Sequence, residues 1–328
     1  MTGWWPTPTP ASLGRVAVIF GGRSAEREVS LKSGQGVLEA LCGAGVEAQP
    51  FDPAQQPLQV LAEGGYDRAF IGLHGRWGED GAIQGVLEWL RVPYTGAGIM
   101  ASAMAMDKDM SKRLWQQQGL PTPAWVRARS AHDVRQALHD VGAPLIVKPS
   151  REGSTLGLSR IDHPEQADAA YQAAAQLDPE VLCERCIVGD EVTVPVFGQG
   201  SALHTTPIIR IVAANGNYDY HAKYVATTTQ YLIPSGLPVA EEQAIHTLAK
   251  QAYAALGVRG WGRVDIMIER DTRQPYLLEL NTAPGMTDHS LVPQSARHVG
   301  LSYTQLCMGL LAQARLDNPV ATEPPAAA

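Results

Sequence analysis

Two stretches late in the sequence, GRVDIMIE and YLLELN, hold a dense set of side chains able to do chemistry. Read as strands, the first puts Val264, Ile266 and Ile268 on one face and Arg263 and Asp265 on the other. In the second, Tyr276, Leu278 and Leu280 share a face, which leaves Glu279 and Asn281 opposite. The short polar turn RDTRQP between them predicts a β-hairpin whose register sets Asp265 against Glu279 and Arg263 against Asn281. Carboxylates facing each other across strands repel unless a cation lies between them. Asp, Glu and Asn oxygens are hard ligands of the kind Mg²⁺ takes together with phosphate oxygens. A solvated polar face is the alternative; the clustering of an arginine with three oxygen ligands favours metal.

A second group lies around SREGSTLG. Gly153 and Gly157 permit close backbone approach, and Ser154 and Thr155 offer hydroxyl and N–H donors to a phosphate. Lys148, on the strand APLIVKPS that feeds this loop, would meet a phosphate as a point charge. Taken alone the loop is also an ordinary polar turn. The sequence has no Gly-Lys pair, which excludes a Walker A loop, and neither H-E-x-x-H nor G-x-S-x-G. Cys183 and Cys186 form C-x-x-C inside VLCERCIV, but no second pair completes a zinc site, so they read as parts of a buried strand.

The elements that must position these groups alternate between strand and helix patterns, the signature of α/β layers. RVAVIFGG and DRAFIGLHG are apolar strands running into glycines, each followed by a helical pattern, SAEREVSLKSGQGVLEAL and AIQGVLEWL. They predict a small, mostly parallel open sheet over residues 14–105, with Glu26 and His74 at the carboxyl ends of its strands, where such sheets bind ligands. A central region, 106–188, follows with a helix carrying Val134, Leu138 and Val141 on one face. VLCERCIVGDE reads as a single strand across the next boundary. In residues 189–316, Ile245, Leu248, Ala252 and Ala255 form the stripe of a helix stopped at Gly257. Residues 1–13 and 317–328, rich in Pro, Ala and Thr, read as loose tails.

A chain of 328 residues favours several domains over one core. Its net charge of -7 argues against nucleic-acid binding, and no apolar run approaches the ~18 residues of a membrane span. With no signal-peptide pattern and no disulfide framework, the expected compartment is cytoplasmic.

Lys108, Lys148, a glycine-containing loop, Glu184, Arg263, Asp265, Glu279 and Asn281, in this order, resemble the ATP-grasp superfamily, and within it the D-alanine–D-alanine ligases. The stretches that carry the likeness are GGRSAEREVSL, LHGRWGEDGAIQG, PYTGAGIMASAMAMDK, VKPSREGSTLG, DYHAKY, GWGRVDIM and ELNTAPGMTDHSLVP. The resemblance implies an α/β fold of three domains: an N-terminal open parallel sheet plus two ATP-grasp subdomains. It also implies ATP and two Mg²⁺ ions, for which Mn²⁺ could substitute, and a homodimer. Lys108, Lys148, Gly153, Ser154 and Lys223 would meet the nucleotide phosphates, and Glu184 and Glu191 the adenine and ribose. Asp265, Glu279 and Asn281 would hold the metal ions, with Glu279 bridging them. Glu26 would meet the ammonium of a first D-alanine and form a hydrogen-bonded trio with Ser154 and Tyr224. Ser290 and Leu291 would bind the second D-alanine's carboxylate, and Arg263 and Gly285 would face the oxyanion. By itself Glu26 reads as a helix-dipole carboxylate. His74 is either a substrate-side or a structural histidine. A D-alanine–D-lactate ligase is the alternative activity, with Tyr224 discriminating. Ala283, Asp288, Trp77 and the loop GSTLG depart from the family's usual residues, and Asp288 adds charge near the second substrate.

Overall fold

The computed structural model describes residues 3–153, 156–212 and 229–318. Three sheets follow one another along the chain. The first holds β1 (Arg15–Ile19) between β2 (Glu47–Phe51) and β3 (Arg68–Ile71), all parallel. Each crossover is helical, through α1 (Arg27–Gly43) and the short α2 (Gln59–Glu63). Parallel strands buried on both faces read as continuous apolar runs, which is why RVAVI and RAFI stand out in the sequence. After β3 come α3 (Ala82–Trp89), α4 (Ile99–Met106) and α5 (Lys108–Gln117).

The second sheet is antiparallel, in the order β4 (Trp125–Ala128), β7 (Val181–Arg185), β5 (Leu145–Pro149) and β6 (Ser159–Ile161). Two helices, α6 (Ala131–Asp140) and α7 (Ala167–Ala175), pack on it around Val134 and Ala137. Leu138 and Val141 are only partly buried in that core. VLCERCIVGDE is not one strand. It breaks after Arg185, and the chain restarts as β8 (Gly189–Phe197) in the third sheet.

That third sheet runs β11 (Gln230–Leu232), β10 (Ile209–Val212), β8, β12 (Trp261–Glu269), β13 (Pro275–Asn281), with β9 (His204–Thr205) beside β8. Helix α8 (Val239–Ala255) covers it through Ile245, Leu248 and Ala252, and Gly257 after its end has φ +67°. Two last helices, α9 (Leu291–His298) and α10 (Tyr303–Ala312), return to the first sheet, so Val16, Val18 and Val37 share a core with Val292, Leu306 and Leu310.

The expectation of a loose tail over residues 1–13 is corrected. Trp5 is 5 % exposed and Leu13 1 %, both inside that shared core. The Trp5 indole donates to the Gln305 carbonyl at 3.0 Å, and its ring meets Phe197 edge-on. Proline-rich composition removes helix and strand propensity, but two tryptophans supply enough apolar area to dock a segment that has neither. At the other end, Asp317 accepts from the Ile99 N–H and pairs with Arg259. Residues 1, 2 and 319–328 lie outside the described residues. No helix among the described residues is long and apolar enough to cross a membrane.

Candidate active site

The hairpin forms with the expected register: Arg263 opposite Asn281 and Asp265 opposite Glu279. A β-bulge then shifts the pairing, so that Ile266 faces Leu277 and Leu278 is skipped. Strict alternation is interrupted there, which corrects the expected face: Leu277 and Leu280 are buried, while Leu278 is turned partly outward. The bulge leaves Asp265, Glu279 and Asn281 together. Their charge is balanced by cations, not by distance. Arg263 grips both Asp265 oxygens, Nε at 2.8 Å and the terminal nitrogen at 2.7 Å. Asp265 also accepts from Asn281 Nδ2 at 3.1 Å and from the Thr193 hydroxyl at 2.5 Å. Lys108 Nζ lies 3.2 Å from the Glu279 carboxylate and donates to the Glu152 carbonyl at 2.8 Å.

Arg263, Glu279 and Asn281 form one wall of a cavity of about 890 Å³. Glu26, His74, Gly285, Ser290 and Leu291 line it as well, so three stretches far apart in sequence, around residues 26, 74 and 263–291, converge there. Glu26 stands at the start of α1, but its side chain does not cap that helix. Its carboxylate instead sits where a Cβ on either Gly75 or Gly153 would come within 2.7 Å of Oε2. Ser290 precedes α9, and its hydroxyl accepts from the Thr287 N–H at 2.9 Å. Asp288 also lines the cavity, but its carboxylate pairs with Arg297.

His74 is held at both nitrogens, 2.9 Å from the Ala283 carbonyl and 3.0 Å from the Ser33 hydroxyl. A carbonyl only accepts, so Nδ1 carries the proton and Nε2 accepts from Ser33. Burial pushes the ring's pKa below its ordinary value, against the pull of Glu26. The imidazole is therefore a neutral brace between α1 and the segment after β13.

A second cluster lies deeper. Glu184 on β7 is pinched between Lys148 on β5 and Lys112 on α5, the latter at 2.7 Å and fully buried. Burial opposes ionisation of Glu184, but the two ammonium groups outweigh it and bring its pKa down to about 2. Burial likewise lowers Lys112 to about 8. Glu191 lies on β8 opposite Met267 and is not part of the cavity wall. Ser154, Lys223 and Tyr224 fall outside the described residues, and with them two members of the expected trio.

Two ionisable groups at the site, half-buried Glu79 and fully buried Lys112, carry no clear mark in the sequence pattern. Glu79 accepts from the Gly75 N–H at 2.8 Å and the Ala283 N–H at 3.1 Å, and burial, with Glu26 nearby, pushes it up to about 8. It sits within LHGRWGEDGAIQG, where a carboxylate in a glycine-rich turn gave no periodic signal. Lys112 is four residues after Lys108, the helical spacing that puts both on one face, and that spacing is its one faint signal.

Similarity to known proteins agrees with this geometry. A family model described as "D-ala D-ala ligase C-terminus" matches residues 114–312, and one described as "D-ala D-ala ligase N-terminus" matches residues 53–97. The chain belongs to the D-alanine–D-alanine ligase family. A relative from Delftia acidovorans named D-alanine–D-alanine ligase is 57% identical over 317 residues, covering 97% of both chains. The crystal structure of the Bacillus anthracis D-alanine–D-alanine ligase superposes with a TM-score of 0.80 at 31% identity, over 92% of this chain and 97% of that one. Its complex with ATP gives 0.79 at 30% identity, with the same coverage. An α/β fold of this family, with one parallel sheet and two antiparallel ones, is the architecture observed.

Proposed function

We infer that this chain joins two D-alanine molecules to D-alanyl-D-alanine at the expense of ATP, releasing ADP and phosphate, as a cytoplasmic supplier of peptidoglycan precursor. The observation that carries the reading is the meeting of Arg263, Glu279, Asn281, Glu26 and Ser290 around one cavity, inside a fold shared with ligases of that name. The first D-alanine places its ammonium at Glu26 and its carboxylate towards Arg263. Lys108 and Lys148 meet the nucleotide phosphates, and Gly153 with Ser154 and Lys223 completes that contact. Glu184 and Glu191 hold the adenine and ribose. Attack of the first carboxylate on the γ-phosphoryl gives D-alanyl phosphate and ADP. The second D-alanine, its carboxylate at Ser290 and the Leu291 N–H, then attacks the acyl carbon through its amine nitrogen. That nitrogen must first give up an ammonium proton, which the departing phosphate can carry. Arg263 and the Gly285 N–H receive the oxyanion, and phosphate leaves. Tyr224, with Ser154 and Glu26, is the trio that screens the site from water. No covalent nucleophile is required, so alignment of three ligands supplies much of the rate.

The donor set suits Mg²⁺. Asp265 and Glu279 are hard carboxylates directly opposite each other, Asn281 adds an amide oxygen, and in this structure two side-chain cations, Arg263 and Lys108, balance them. Asp265, Glu279 and Asn281 would hold two ions, Glu279 shared between them, with Mn²⁺ as a substitute. When bound, they would supply charge neutralisation at the phosphoryl oxygens. The same family likeness supports a homodimer.

The test is product identification by mass after incubation with ATP, Mg²⁺ and D-alanine, with D-lactate as competitor. Dipeptide in step with ADP is the expected result. A dominant D-alanyl-D-lactate ester, or ADP without any dipeptide, would overturn the reading.

A further inference from the structure

The loop after β3 faces two ways. His74 and Glu79 look into the cavity, whereas Arg76, between them, reaches out of it to the central region. Its Nε meets the Glu152 carboxylate at 2.5 Å. A terminal nitrogen lies 3.3 Å from the Leu177 carbonyl and 3.8 Å from Asp178, which also holds Arg151 at 2.7 Å. Glu152 is gripped from the other side as well, since its own carbonyl accepts from Lys108, the lysine that touches Glu279. One short path therefore runs from the first sheet's loop through Arg76 and Glu152 to Lys108 and the hairpin.

That path crosses the gap in which Glu26 sits. The Glu26 carboxylate lies between the backbones of Gly75 and Gly153, and a Cβ on either would come within 2.7 Å of Oε2 and displace it. Those glycines are the immediate neighbours of Arg76 and Glu152. The ion pair and the slot thus lie between the same two loop segments, one after β3 and one after β5.

We propose that Arg76 is a positioning residue for the ligase reaction: by holding Glu152 it fixes the Gly75–Gly153 slot, and so the Glu26 carboxylate and the cavity wall beside it. The inference rests on the role of Glu26 given above. Arginine suits the task because its planar fork reaches the Glu152 carboxylate, the Leu177 carbonyl and Asp178 together, which a lysine cannot do. A widened slot has two consequences. The first D-alanine binds more weakly, and water reaches the acyl phosphate. Water's oxygen then bonds to the acyl carbon, the bond to the phosphate oxygen breaks, and D-alanine and phosphate are regenerated, so ATP is consumed without dipeptide.

The experiment compares wild type, Arg76→Gln, Arg76→Lys, Arg76→Glu, Glu152→Arg and the Arg76→Glu/Glu152→Arg double variant, with ADP and dipeptide quantified in the same reaction. Arg76 is part-exposed, so Arg76→Gln and Arg76→Lys should melt close to wild type. Glu152 is only 11% exposed, so the reversed single variants are read against the double variant, which restores the pair. Wild type should give about one dipeptide per ADP; no dipeptide from wild type would instead sink the ligase reading itself. Arg76→Gln should raise the first-site KM for D-alanine roughly threefold to tenfold and yield about two ADP per dipeptide. Arg76→Lys should fall between, and the double variant should recover coupling that each reversed single variant loses. Unchanged KM and coupling in Arg76→Gln would overturn the proposal. So would a loss that follows a lowered melting temperature and is not relieved by the charge swap.

Discussion

Two clusters of opposed charge lie close together in this molecule, and they solve the same problem differently. In the hairpin cluster, buried Asp265 is balanced by Arg263 and Glu279 by Lys108, and Arg263 and Glu279 themselves line an open cavity. In the deep cluster, Glu184 is balanced by Lys112 and Lys148 with almost no exposure. An ion pair beside solvent can exchange a partner for an incoming cation or phosphate at modest cost. A buried pair cannot, because a carboxylate left alone in low dielectric loses several kcal/mol of solvation. The hairpin cluster is thereby fitted to binding, and the deep one to keeping Lys148 and Glu184 in place while ligands come and go.

The sharpest way to break that comparison is Lys112→Met. It strips Glu184 of a buried partner, and unfolding in urea should show a loss of about 3–5 kcal/mol. A change below about 1 kcal/mol would show that Lys148 alone suffices and that the deep cluster is no more rigid than the hairpin. Trp5→Ala should cost a comparable ~3–5 kcal/mol, since its ring fills the core beside Phe197. Retention of full stability on deleting residues 1–12 would restore the view of that segment as a tail.

Asp265→Asn sits on the other side of the comparison. The Asp265–Arg263 pair means that removing this charge does not relieve repulsion, as facing carboxylates alone would suggest. The folded protein should lose about 1.5–3 kcal/mol, as for a buried hydrogen bond to a charged group whose acceptor oxygen is partly kept by the amide. Turnover should fall by about 10² or more if the carboxylate holds metal. Melts with and without Mg²⁺-ATP, alongside steady-state ADP release, separate the two effects. Wild-type turnover with wild-type ATP-dependent stabilisation would remove Asp265 from the metal set.

Glu79 offers a gentler test. Its pKa is raised to about 8 in the folded protein, so above the unfolded value the native state holds a proton that the unfolded chain has lost. Stability from this group is full in acid and declines as pH rises towards 8. His74, whose pKa is lowered, acts in the opposite sense below its ordinary value, so the clean window is pH 6.5 to 8. Denaturation midpoints over that range should fall in wild type and flatten in Glu79→Gln. The smallest effect is expected from Asp288→Ser. With its carboxylate taken up by Arg297, the KM for the second D-alanine should move by no more than about twofold.

Much of the β12–β13 hairpin was legible in the sequence because β structure has a period of two and a short turn leaves little choice of register. Arg263, Asp265, Glu279 and Asn281 could be paired on paper. The bulge at Leu278 could not, since a skipped residue leaves no mark on composition. The family likeness named Lys148 and Glu184 but not their mutual grip, and a carboxylate such as Glu79 becomes unusual only when other elements remove its water.

The sequence by itself determined the apolar strands β1, β3, β5, β12 and β13, the helices α1, α3, α6 and α8 and the hairpin's facing carboxylates, because these depend on periodicity and on neighbours a few residues apart. Tertiary structure alone decided the docking of Trp5 against Phe197, the bracing of His74 by Ser33 and Ala283, and the grip of Arg76 on Glu152. Each of these joins residues some 40 to 210 positions apart. Burial and charge partners at that separation arise only once separate elements share a surface, and those are the terms that set pKa, rigidity and the width of a binding slot.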